Sequence, residues 1–167
     1  MTRRKRSIAT QPESTILFAL GNTFRGDDGV GWCIGCAVEQ QLQRDGLTVV
    51  RARQLLPEHA EAINAANLVV FVDCSAIAAA GTVSTIAIEP AESLPRTFTH
   101  HLDPASLLRL TVDLYAHTPT RAVAITVGGE SFELTDRLSK AARSAVPRAL
   151  EAIREVLLGA AALQLPR

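Results

Sequence analysis

Apolar and polar positions along the chain alternate between two periods. Thr15–Leu20 is a short apolar run stopped by Gly21, as in a buried strand. Val30, Ile34, Ala37, Val38 and Leu42 then recur at helical spacing. Leu47–Arg53 alternates enough for a strand near a sheet edge. The stretch "LPEHAEAINAAN" reads as a helix with Pro57 in its first turn. Leu68–Asp73, "LVVFVD", is the clearest buried strand: continuous, β-branched and ended by an acid. Thr82–Glu89 alternates as a further strand. "DPASLLRLTVDLYA" predicts a helix with Asp103 as N-cap and Pro104 at the first helical position. "RAVAITVGG" is another buried strand, and "GGESFELTDR" is the longest predicted loop. Ser139 caps a last helix reaching about Leu158, which Pro147 is expected to kink or interrupt.

Helices alternating with strands predict an α/β fold, a mainly parallel sheet covered on both faces. No internal repeat or second domain is visible. A chain of 167 residues suits one domain with a real core. Residues 1–14 read as a disordered tail and 15–160 as the domain.

Composition narrows the function classes. At 47% hydrophobic residues, most of the chain is expected to fold. Lys and Arg balance Asp and Glu at 17 each, which removes the electrostatic case for nucleic acid or a membrane surface as partner. Apolar runs fall far short of the ~20 residues of a membrane helix. Arg3–Arg4 lacks the apolar region that an export signal needs, so the basic start reads as a tail or extension. Three cysteines make no disulfide framework, and a reducing cytoplasm is expected.

The stretch "ILFALGNTFRGDDGVGW", Ile16–Trp32, has the strand–glycine loop–helix layout of a phosphate site. Gly21 and Gly26 fit its glycine spacing, but Asp27 and Asp28 stand where a P-loop has Lys and Ser or Thr. The dinucleotide fingerprint fails as well. Two carboxylates would repel phosphate, which leaves helix capping or a cation-facing role. Asp73 weighs toward the second. It closes an apolar strand, and loops after parallel strands share the edge where ligands bind. His100 and His101, in "TFTHHLDP", precede a capped helix; alone, a loop histidine is usually just solvated. Two carboxylates and an imidazole at one edge suit a divalent first-row metal, nickel included.

With Gly21–Asn22, Asp27–Asp28–Gly29, Gly31, the strand-end Asp73 and "HHLDPASLL" in this order, the chain resembles the hydrogenase maturation proteases from about Ile16 through the last helix. The resemblance implies a three-layer α/β/α sandwich around a twisted, mostly parallel sheet of about five strands. It also implies an endopeptidase that clips the C-terminal extension from the large-subunit precursor of a nickel–iron hydrogenase after nickel insertion. The metal-contacting and catalytic positions carry over to Asp28, Asp73 and His100, with nickel supplied by the precursor. His100 is preferred to His101 because it places Leu102 at the family's apolar position. Asp27 is left to shape the loop or cap the following helix. The chain departs from the common pattern at Cys74, Trp32 and Cys33.

Neither a G-x-S-x-G elbow nor an H-E-x-x-H motif supports the ordinary protease classes. Two other readings stay open: a metallohydrolase with its own zinc or manganese at the same residues, and a non-proteolytic metallochaperone or docking module for hydrogenase assembly. Cys33 and Cys36 form a C-x-x-C inside a predicted helix with no second pair, and read as small helix residues. Cys74 reads as buried packing or a soft neighbour of the metal. His59 and His117 are expected to be solvated. Arg25 reads equally as an exposed loop charge or as a contact for a substrate carboxylate.

Overall fold

The computed structural model describes residues 14–94, 102–116 and 118–159. Residues 1–13 of the predicted tail, His100, His101, His117 and the chain beyond 159 lie outside the described residues.

Five strands form one sheet: β1 (Thr15–Leu20), β2 (Leu47–Ala52), β3 (Leu68–Ser75), β4 (Val83–Ala87) and β5 (Arg121–Gly128). Four α-helices accompany them: α1 (Val30–Gln41), α2 (His59–Asn64), α3 (Pro104–Tyr115) and α4 (Lys140–Leu157). The spatial order is β2-β1-β3-β5-β4, parallel throughout except for the antiparallel edge strand β4. The predicted element order, the parallel sheet and the edge position of β2 are all as expected.

The central strands are apolar on both faces because each face meets helices. Leu17 and Ala19 of β1 join Val30, Ile34 and Val38 of α1 and Ala145, Ala149 and Ile153 of α4 in one core. Ile16, Phe18 and Leu20 of the same strand join Ile63 of α2 and Leu107 and Leu108 of α3 in the other. Each fully buried Leu, Ile or Phe of these layers is worth about 1.5–3 kcal/mol of transfer free energy.

Local signals account for the boundaries. Asp103 caps α3, its carboxylate accepting from Ser106 N at 2.8 Å, and Pro104 begins the helix. Ser139 caps α4 by accepting from Ala142 N. That helix runs through Pro147 as one element, so the expected interruption does not occur. Pro57 precedes α2 and is not in its first turn. β3 continues two residues past Asp73, since β5 pairs with it as far as Ser75↔Gly128. Asp73 is thus a strand residue opposite Thr126, one pair short of Cys74 and Val127.

Candidate active site

The site lies at the carboxyl edge of the sheet, where the turns after β1, β2 and β3 converge. Its first wall is the loop Gly21–Gly29, which ends in a 3-10 turn, Gly26–Gly29, running into α1. Gly21 has φ of +123°, and a Cβ there would stand 1.8 Å from the carbonyl oxygen of Asp28. Only glycine permits that approach. Asn22 N donates to Asp28 Oδ2 at 2.9 Å, and Asn22 Oδ1 accepts from Phe24 N at 3.1 Å. Arg25 N donates to Asn22 O, and Asp28 N to Arg25 O. The loop is a closed ring that holds the Asp28 carboxylate by one oxygen. Gly31 completes the arrangement by letting α1 sit on the sheet: a Cβ there would meet Leu20 O at 2.1 Å and Val72 O at 2.8 Å.

The two adjacent aspartates have separate tasks. Asp27 is fully buried, at 0% exposure. Its Oδ2 accepts from Glu130 N (2.7 Å) and Ser131 N (3.1 Å), and its Oδ1 from Ser139 N (2.6 Å). Burial alone would raise its pKa, but the N–H groups of Glu130, Ser139 and Ser131 together hold it below the usual carboxylate value. Asp27 N donates in return to Ser131 O, and Gly26 N to Thr135 O. The predicted loop after β5 is therefore fastened to the first loop. Asp27 shapes the loop as expected, but it does not cap α1: neither the 3-10 turn nor α1 has a side-chain cap.

Asp28 and Asp73 line one cleft of about 380 Å³, together with Leu20, Arg53, Leu102 and Asp103. Asp73 Oδ1 accepts from Cys74 N at 2.8 Å. Burial pushes the Asp73 carboxyl up to about 6; the Cys74 N–H opposes this, and the charge of Asp28 adds to it. Among the described residues no donor meets Asp28 Oδ1 or Asp73 Oδ2. Hard carboxylate oxygens of this kind can take a divalent first-row cation. Among the described residues no group of three His, Cys, Asp or Glu side chains is assembled to hold a metal alone. His100, the third expected ligand, lies outside the described residues; Leu102, two positions later, bridges to Leu55 and borders the cleft.

Cys74 is partly buried against the core, its thiol pushed up to about 12 by burial and then by the charges of Asp73, Asp27 and Asp28. Cys33 and Cys36 are helix residues of α1, Cys33 exposed and Cys36 accepting from the Arg51 guanidinium at 3.0 Å. His59 departs from expectation. It packs on Phe18 at 5.1 Å, its Nδ1 accepts from Leu56 N at 3.0 Å, and burial lowers its pKa against the opposing charge of Glu58. Arg53 and Gln54 line the cleft and were missed from the sequence; they follow β2 at the same ligand-binding edge as Asp73, which is the signal that marks them.

Among the described residues no helix is long and apolar enough to cross a membrane. No protein-family profile matches the chain, and no curated protein matches it in sequence. Solved structures do match it. The hydrogenase maturating endopeptidase HybD from E. coli aligns with a TM-score of 0.71 at 21% identity, over 87% of this chain and 92% of that one. The [NiFe] hydrogenase maturation protease HycI from Thermococcus kodakarensis KOD1 aligns at 0.67 and 20%, over 90% and 95%. HybD from Thermococcus kodakarensis aligns at 0.65 and 20%, over 86% and 98%. At such identities the likeness is one of architecture: over most of its length the chain has the fold of these maturation endopeptidases.

Proposed function

We propose that the chain is an endopeptidase of hydrogenase maturation, which removes the C-terminal extension of a nickel–iron hydrogenase large-subunit precursor. The observation that carries this reading is the cleft itself. Asp28, from the loop after β1, and Asp73, near the end of β3, share one pocket, each with an oxygen that takes no hydrogen bond among the described residues. Fold alone does not assign function. Here the shared fold is joined by the ordered set of Gly21–Asn22, Asp28, Asp73 and His100.

In this reading the nickel belongs to the substrate. Asp28, Asp73 and His100 meet a metal already held by the precursor, so a precursor without nickel offers the cleft nothing to grip. The metal supplies Lewis acidity to the scissile carbonyl or to water. A free carboxylate oxygen accepts the proton of the attacking water. The hydroxyl adds to the carbonyl carbon, the C–N bond breaks, and the released amine takes the proton.

Incubation of the purified protein with the nickel-loaded precursor, followed by mass spectrometry, tests the reading. Loss of a C-terminal peptide is expected from the nickel-loaded form only. An unchanged precursor mass overturns it.

A further inference from the structure

The acid pair occupies one end of a longer trough. The cleft of Asp28 and Asp73 is also lined by Arg53 and Gln54. A second hollow, of about 590 Å³, shares Asp28, Arg53 and Gln54 with it and adds Arg25, Asn22 and Leu56. Asp28, Arg53 and Gln54 line both hollows; Asp73 belongs to the first and Arg25 to the second.

These two arginines differ from three others on the surface, although Arg44, Arg137, Arg143 and Arg148 likewise form no ion pair among the described residues. Arg51, Arg109 and Arg154 each sit on an acid of their own neighbourhood, Glu39, Asp113 and Glu151. Arg25 and Arg53 are exposed and have no acidic partner among the described residues. Asp28 lines the same hollow but is held by Asn22 N instead. The backbone beneath both is fixed. Arg25 N donates to Asn22 O at 3.0 Å. Arg53 follows Ala52, whose carbonyl accepts from Gly21 N and from Trp32 Nε1, each at 3.1 Å. A planar guanidinium presents paired donors that match a carboxylate. The nearby Asp28 disfavours a multiply charged phosphate more than a singly charged carboxylate.

We infer that the Arg25–Arg53 end of the trough binds a carboxylate of the polypeptide being cut. It is either an acidic side chain near the scissile bond or the free carboxylate at the end of the extension. The inference rests on the endopeptidase reading: a strand of substrate with its scissile bond at Asp28 and Asp73 runs its neighbouring residues across the two arginines.

The test is titration of the ¹⁵N-labelled protein, followed by NMR, with three peptides. They are acetyl-Ala-Glu-Asp-Ala-amide, acetyl-Ala-Gln-Asn-Ala with a free C-terminus, and acetyl-Ala-Gln-Asn-Ala-amide. At least one carboxylate-bearing peptide is expected to shift the amides of residues 22–25 and 52–56, and which one does so identifies the source. The neutral peptide is expected to do nothing. Arg25→Met/Arg53→Met should weaken the binding about tenfold, the scale of two partly solvated charge-assisted pairs. Equal binding of the neutral peptide, undiminished binding by the double variant, or no binding at millimolar peptide overturns the inference. Precursor processing is read separately. An uncut precursor with arginine-dependent peptide binding sinks the endopeptidase reading and keeps the anion site. A normally cut precursor without peptide binding does the reverse.

Discussion

Replacing Asp73 with Asn is expected to make the protein more stable while destroying its proposed activity. The carboxyl is raised from its ordinary 3.8 to about 6, chiefly by burial. Each pKa unit corresponds to about 1.4 kcal/mol, so holding Asp73 ionised in the fold at neutral pH costs about 3 kcal/mol. Asn keeps an oxygen for Cys74 N and removes both the buried charge and its repulsion by Asp28. Solvent reaching the cleft reduces the gain, so about 1–3 kcal/mol is expected, or about 3–10 °C in melting temperature for a chain of this size. The sign fixes the pH window. A raised acid carries no penalty below its unfolded value near 3.8; the penalty grows as pH rises from 3.8 to about 6 and is complete above. Calorimetry of both proteins at pH 4, 6 and 8 should therefore show coincident melting at pH 4 and a gap that opens toward pH 8. A variant less stable at pH 8, or a gap independent of pH, would refute the reasoning.

Asp27→Asn should act oppositely, losing about 2–3 kcal/mol in urea denaturation, because an amide nitrogen then faces a buried backbone N–H. A substitution within 0.5 kcal/mol of wild type would contradict the bonding described for Asp27, on the usual scale of neutral surface changes, about ±0.5 kcal/mol. The lowered Asp27 pKa gives stability that is present above the ordinary carboxylate value and is lost as pH falls through the folded one, so the urea gap should shrink in acid. Asp28→Asn and His100→Gln should abolish processing of the nickel-loaded precursor with circular dichroism unchanged; normal turnover by both would remove them from the site. Gly31→Ala should destabilise by about 1–3 kcal/mol through contact with Leu20 O and Val72 O, and unchanged thermal melting would contradict that packing.

Much of the architecture was legible because its signals are local. Continuous apolar strands, Asp103 before Pro104 and Ser139 before α4 each act within a few residues. The meeting of Asp28 and Asp73 in one cleft was legible because a parallel sheet collects its loop ends at one edge, whatever the details. Asp27 was harder to read. Its donors lie more than a hundred positions away, at Glu130, Ser131 and Ser139, and no local pattern announces them. The length of β3 beyond Asp73 depends on its pairing with β5, again a distant partner. His59 looked solvated because helical spacing does not reveal a ring stacked on Phe18 from another layer.

The closed ring between Gly21 and Asp28 makes length, more than composition, the heritable property of the first loop. Its side chains at Thr23 and Phe24 face solvent and are free to vary. An added or deleted residue would break the contact of Gly21 with the Asp28 carbonyl and the bond from Asn22 N together. Among relatives, then, a conserved count from glycine to second acid is the better marker of a working cleft, and a chain with both acids but a different count should be suspected of having left this chemistry.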